Sequence, residues 1–161
     1  MPDAGGFCIV QPGESESHWQ PVPANGHVSV LLAPHLVAME HALAMGTQTV
    51  APHSRVREHA HDRNEEVIHC LAGCGVAIVD GERHEMRPGT TLFLGRNRWH
   101  SFVNESDADL SFLWLLLPNG LEDFFAAIGK PRHEGDAPPP NFPRPDDVLE
   151  IERRTVFAPP R

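Results

Sequence analysis

Residues 59–73 read HAHDRNEEVIHCLAG and combine an extended segment with a group of metal-binding residue types. Side chains alternate along a strand, so Glu66, Ile68 and Cys70 share one face, and the residues between them share the other. Both faces carry apolar side chains, which predicts a strand with neither face fully in water. The same alternation puts His59 and His61 on one side of the chain.

Short apolar segments separated by turn residues surround this stretch on both sides. We predict strands at 28–32, 41–50, 66–71, 75–79, 82–86, 90–94, 99–103 and 110–117. Asp80-Gly81 is a hairpin dipeptide, and Pro88-Gly89 marks the next turn. Parallel pairing needs crossover helices, for which these connections are too short. The pattern therefore predicts an all-β, antiparallel sandwich or barrel.

One amphipathic helix follows the strands, at Leu121–Ile128. Asn119 is its expected N-cap, with Glu122 reaching back to the Asn119 amide, and Gly129 its left-handed stop. We expect its apolar stripe to pack on the outside of the β-domain. The chain then divides into an N-terminal arm (1–27), a barrel (28–118), a packing helix (119–130) and a proline-rich extended C-terminal tail (131–161), with at most one turn near 148–151.

Composition narrows the classes of function. Thirteen basic and 22 acidic residues give a net charge of −9, which opposes binding to nucleic acid or to an anionic membrane. There is no apolar run of about 20 residues and no signal-peptide pattern, so we expect a cytoplasmic protein. Three cysteines cannot form a four-cysteine zinc site. Eleven histidines, however, are many for this length.

His59, His61, Glu66 and His100 form a mixed nitrogen and oxygen set, which suits one divalent metal ion per chain. Fe(II) or Mn(II) is the preferred ion, and Ni(II), Zn(II) or Cu(II) are alternatives. Four protein ligands leave two positions of an octahedral ion free for a substrate, dioxygen or water.

Two motifs of this sequence resemble those of the cupin family. The first, Gly-x5-His-x-His-x3–4-Glu-x6-Gly, is matched by His59, His61, Glu66 and Gly73; the second, Gly-x5-Pro-x-Gly-x2-His-x3-Asn, is matched by Gly89, His100 and Asn104. His53 replaces the opening glycine of the first motif, and Gly95 and Asn97 replace the proline and glycine of the second. Both replacements in the second motif suit a turn.

The resemblance implies a double-stranded β-helix, or jelly-roll, cupin barrel that binds metal through these four residues. Glu65 is the rival of Glu66, but only Glu66 has Gly73 seven residues later, and the two side chains point to opposite faces. The chemistry implied is dioxygenation of a small, oxygen-chelating organic substrate. The alternatives are a redox-neutral isomerase, lyase or decarboxylase, and a non-catalytic ligand-binding protein. A homodimer is also implied.

Further residues are candidates for the pocket wall. Alternation turns Ile68 and Cys70 inward beside Glu66, and Phe102 inward beside His100. Gln48 is a candidate hydrogen-bond donor near the site. Asn104 is expected to hold backbone at the end of its strand. Arg96 and Arg98 flank the loop before His100 and are candidates for contacting an acidic substrate, or else are solvated surface residues.

Overall fold

The computed structural model describes residues 4–161, and within them the chain forms eleven strands and two short helices. The strands are β1 (Glu16–Trp19), β2 (His27–Leu32), β3 (Ala44–Val50), β4 (Ser54–His59), β5 (Glu65–Ala72), β6 (Gly75–Val79), β7 (Glu82–Met86), β8 (Thr91–Leu94), β9 (His100–Asn104), β10 (Leu110–Leu117) and β11 (Lys130–Pro131). The helices are α1 (Leu121–Ile128) and α2 (Val148–Arg154).

The strands form two antiparallel sheets, as the sequence predicts. A seven-stranded sheet has the order β11-β1-β2-β3-β10-β5-β8, and a four-stranded sheet has the order β4-β9-β6-β7. The hairpin between β6 and β7 turns at Asp80 and Gly81, both of which have positive φ, as the dipeptide predicts.

The core lies between the two sheets. On β10 every second residue is buried, and Phe112 and Trp114 are fully enclosed. Gly46 of β3 pairs with Trp114, and a Cβ at Gly46 would approach the indole ring to 2.6 Å. Glycine therefore makes room for the largest core side chain. Opposite this sheet, Phe102 of β9 contacts Phe112 at 4.9 Å between ring centroids.

Helix α1 has the predicted bounds, Leu121–Ile128, but its caps differ from the prediction. Its N-cap is Gly120, with no side-chain cap, and Glu122 accepts hydrogen bonds from the Gly120 amide and the Asn119 side chain. Gly129 is extended at φ −91°, because the chain continues directly into β11 instead of turning back.

The apolar stripe of α1 packs inward, which corrects the expected position outside the barrel. The Phe125 ring contacts the enclosed Trp114 ring at 5.5 Å, and Phe124 is buried beside it. The helix therefore extends the core and leaves the outer face of the large sheet uncovered.

The two ends contain more structure than the sequence indicates. Residues 16–19 form β1, which pairs with β2 and with the two-residue β11. The tail contains α2, a seven-residue helix with Ile151 buried. No helix within residues 4–161 has the length and hydropathy that a membrane crossing requires.

Candidate metal centre

The four predicted ligand residues converge from both sheets. His59 ends β4, His61 follows two residues later, His100 begins β9, and Glu66 lies on β5 of the large sheet. His59 and His100 are paired across neighbouring strands, which puts their side chains on the same face. A register shift between Val56 and His59 adjusts the strand just before the first ligand.

These side chains form a tight, buried cluster. Their candidate ligand atoms all lie within 4.8 Å of one another. The relative exposure is 7% for His59, 3% for His61, 3% for Glu66 and 1% for His100. Glu66 Oε2 lies 3.0 Å from His100 Nε2 and 3.6 Å from His61 Nε2. Glu65 is exposed on the opposite face of β5.

Backbone carbonyls orient all three imidazoles. The Nδ1 atoms of His59, His61 and His100 lie 2.8, 2.9 and 2.7 Å from the carbonyl oxygens of Arg57, Val156 and Arg98, respectively. A carbonyl only accepts, so each Nδ1 carries the proton and donates it. Each Nε2 is then left as the lone-pair nitrogen that a metal ligand needs.

The cluster lacks hydrogen-bond partners within itself. His61 Nε2, His100 Nε2 and Glu66 Oε2 are buried without a partner, because neutral imidazoles of this tautomer bring only acceptors to the centre. Unpaired buried acceptors are unfavourable unless a proton or a cation lies between them. The donor set therefore fits a divalent cation on both geometry and chemistry.

The pKa values of these groups are shifted in the directions that this crowding dictates. Burial, followed by the nearby His100 and His61, lowers the pKa of His59 well below its ordinary value. Burial alone would raise the pKa of Glu66, but contact with His100 and His61 outweighs it and holds that pKa well below the usual range. Burial alone would lower the pKa of His61, yet the adjacent Glu66 carboxylate raises it.

The loop before His100 is fastened to the site. The Asn97 amide donates to the His61 carbonyl at 2.8 Å, and Asn97 has φ 61°, the left-handed conformation expected of a residue in place of glycine. Arg98 pairs with Asp80 at 2.7 Å, so its side chain supports the loop, whereas Arg96 is exposed. Asn104 donates to three backbone carbonyls at the other end of β9, in agreement with the backbone role expected for it.

The candidate wall residues separate into two groups. Phe102 contacts the His100 ring at 5.6 Å, and Ile68 and Cys70 are buried on the same face of β5 as Glu66. Burial, with Cys74 nearby, raises the pKa of the Cys70 thiol, in keeping with a core filler. Gln48 faces inward but donates to Gln20 Oε1 at 2.6 Å. It lines a separate small cavity beside Phe124 and Phe125.

Sequence reasoning missed the contribution of the C-terminal segment. The Val156 carbonyl holds His61, and the Phe157 ring lies 5.3 Å from the ring centroids of both His59 and His61. A backbone carbonyl leaves no mark in a sequence. The apolar pair Val156-Phe157 within a charged tail is the only local signal for this contact.

Comparison with known proteins agrees with the fold. A family model described as "Cupin domain" matches residues 46–116. Protein SchB of Streptomyces halstedii is 31% identical over 101 residues, which cover 60% of this chain and 72% of SchB. Quercetin 2,3-dioxygenase of Bacillus subtilis is 31% identical over 99 residues, which cover 62% of this chain but only 28% of that protein.

A solved structure shows the same architecture. The crystal structure of a protein described as a predicted oxalate decarboxylase, from Thermotoga maritima, superposes with a TM-score of 0.60 at 23% identity, over 69% of this chain and 99% of that one. Fold and site together define a double-stranded β-helix protein with a buried cluster of three histidines and one glutamate. The chain belongs to the cupin family.

Proposed function

We propose that this protein is a metal-dependent cupin dioxygenase acting on a small organic substrate that binds through oxygen atoms. The observation that carries the proposal is the buried cluster of three imidazoles and one carboxylate, whose candidate ligand atoms lie within 4.8 Å of one another. Two of the nitrogens and one carboxylate oxygen are buried without a hydrogen-bond partner. The 31% identity to quercetin 2,3-dioxygenase supports the dioxygenase assignment.

His59, His61, Glu66 and His100 are the residues that would hold the ion. When bound, an Fe(II)-type ion supplies the electrons and the Lewis acidity for reaction of an oxygen-donor substrate with dioxygen. The carbonyls of Arg57, Val156 and Arg98 keep the three imidazoles in the ligating tautomer. Phe102 and Phe157 pack against the histidines and exclude water from the site.

The test is elemental analysis of protein purified without added metal, followed by reconstitution under argon with Fe(II) or Mn(II). Oxygen uptake is then measured with quercetin and with simple catechols as oxygen-chelating probes. Uptake that depends on the metal and on His100 supports the proposal. Metal-dependent turnover without oxygen would instead assign the chain to the redox-neutral isomerases, lyases or decarboxylases. Metal binding without any turnover would make it a binding protein.

We also propose that the protein is a homodimer formed through the outer face of the large sheet. Phe93, Val67, Leu115 and Met45 are cross-strand neighbours in one apolar row on that face. Phe93 is 67% exposed within the chain, and α1 packs on the inner face instead. An apolar row of this kind is typical of a protein interface.

A further inference from the structure

Residues 148–161, here named the C-terminal cover, lie against the metal-ligand cluster. The cover contains α2, and its Glu152 is only 6% exposed. That carboxylate accepts hydrogen bonds from both Arg57 and Arg144. Arg57 is on β4, two residues before His59, so the ion pair ties α2 directly to the strand that carries the first ligand. Buried, doubly paired carboxylates hold such contacts firmly.

The cover completes the orientation of one ligand. The carbonyls that hold His59 and His100 belong to residues two positions earlier in the same segment, so local backbone geometry supplies them. The carbonyl that holds His61 belongs to Val156, 95 residues away. His61 therefore has its ligating tautomer and ring orientation fixed by this contact only while the cover is docked.

The cover also shields the cluster. The Phe157 ring packs on His59 and His61 and reaches Phe124 at 4.4 Å. A cleft of about 220 Å³ reaches His59 between the cover and Trp99. Arg161 partly closes this cleft, with its guanidinium 4.5 Å from the centroid of the Trp99 ring and a hydrogen bond to Glu58. With the ligands at most 7% exposed, an organic substrate needs a wider opening.

Besides the Val156–His61 contact and the packing of Phe157, two hydrogen bonds hold the part of the cover that lies over the ligands. The Ala158 amide donates to the Ala60 carbonyl at 2.8 Å, and Arg63 donates to the Thr155 carbonyl at 2.9 Å. Such a segment can open locally without unfolding the sandwich. Residues 148–161 also lie outside the matched cupin domain at 46–116, so the cover is a feature of this chain and not of that domain.

We propose that the C-terminal cover is a lid, latched by Glu152, which opens to admit substrate and on closing orients His61 and excludes water. This inference rests on the proposed function, because the lid would cover and orient the ligands of the proposed metal centre. Glu152 is a positioning residue, acting through the docking of Val156 and Phe157. Lid opening before each turnover is a common way for enzymes to gate a dry active site.

The test measures metal release and local opening in variants of the full chain. Wild type, Glu152→Gln and Phe157→Ala are loaded with Mn(II) under argon and mixed with an excess of chelating dye. We expect Mn(II) release to be at least about tenfold faster in both variants, which corresponds to a loss of ~1.4 kcal/mol in the free energy that favours the closed lid. In the metal-free proteins, hydrogen exchange of the Ala158 amide should accelerate by a similar factor in Glu152→Gln.

Two control variants separate opening of the lid from general destabilisation. Glu150→Gln changes an exposed carboxylate on the same helix and should leave both rates unchanged. Met86→Ala removes a core side chain on β7, at the opposite edge of the small sheet from β4, and should lower the melting temperature without speeding Ala158 exchange. Unchanged Mn(II) release and unchanged Ala158 exchange in Glu152→Gln would overturn the lid. If the wild type binds neither Mn(II) nor Fe(II), the proposed function fails, and Ala158 exchange alone decides whether Glu152 latches the cover.

Discussion

Glu66→Gln should weaken metal binding far more than it lowers the stability of the metal-free protein. Glu66 supplies the only negative charge of the ligand set and is 3% exposed. Removing one partner of a buried charge pair is unfavourable by ~3–5 kcal/mol. The amide keeps the shape of the side chain, so we expect a loss of metal affinity of about 10²- to 10⁴-fold.

The metal-free protein should lose less stability, because a new hydrogen bond partly replaces the favourable contact that the Glu66 carboxylate makes with His61. Glu66 Oε2 faces His100 Nε2 at 3.0 Å without a hydrogen bond. A glutamine in this position can donate its amide N–H to that lone pair, a gain of ~1 kcal/mol. For a chain of this size, 1 kcal/mol corresponds to about 2–4 °C in melting temperature.

Thermal unfolding with and without Mn(II) under argon measures both effects. At a metal concentration of about 1,000 times the wild-type Kd, binding stabilises the wild type by ~4 kcal/mol, or roughly 8–16 °C. The same concentration should stabilise Glu66→Gln by at most ~1.4 kcal/mol. Glu65→Gln is the matched control, since Glu65 is the exposed neighbour on the same strand. A full metal-dependent shift in Glu66→Gln, or its loss in Glu65→Gln, would refute the assignment of the ligands.

Three further predictions concern other parts of the molecule. Asn104→Ala removes a side chain that donates to three carbonyls and accepts a hydrogen bond from Ser106. Urea unfolding should show that the free energy of unfolding falls by ~2–4 kcal/mol, and a fall of less than ~1 kcal/mol would contradict this role. The raised pKa of His61 implies that this imidazole must release a proton to ligate a metal at any pH below that pKa, whereas the lowered pKa of His59 keeps its ring neutral. Metal affinity should then fall as the pH drops through the His61 pKa, and calorimetry in buffers of different ionisation enthalpy should detect proton release on binding; an affinity independent of pH would contradict this. Phe93→Glu puts a charge into the exposed apolar row. Sedimentation should show that the wild type is a dimer and the variant a monomer, with unchanged metal binding. A monomeric wild type would refute the proposed dimer.

The parts of the fold that follow from the sequence are those governed by local rules. Alternation along β5 correctly puts Glu66, Ile68 and Cys70 inside, and the positive φ of Asp80 is the one its hairpin dipeptide predicts. The motif spacing identifies four residues whose candidate ligand atoms lie within 4.8 Å of one another in the fold. The first two inferences depend on residues that are close in sequence. The third depends on a family motif whose residues are known to lie close together in the fold.

The errors arise where distant segments meet. Asn119 and Glu122 do form a local pair, yet the N-cap is the next residue, Gly120, whose φ of 132° a residue with a side chain rarely adopts. The sequence makes Gln48 a candidate donor near the site, but its position along the sandwich depends on strand pairing, and the side chain binds Gln20 instead of lining the metal centre.

The orientation of the metal ligands shows most clearly what a motif contains and what it omits. The motif identifies three histidines, but the lone pair that each directs inward depends on a carbonyl acceptor at its other nitrogen. For His59 and His100 that acceptor lies two residues earlier, so the local backbone provides it together with the motif. For His61 it comes from Val156, at the end of a tail whose composition predicts little beyond extended chain. A cupin domain without this tail would therefore contain all four candidate ligand residues but only two of the three carbonyl contacts, and this difference is why we propose that the tail acts on the candidate metal centre.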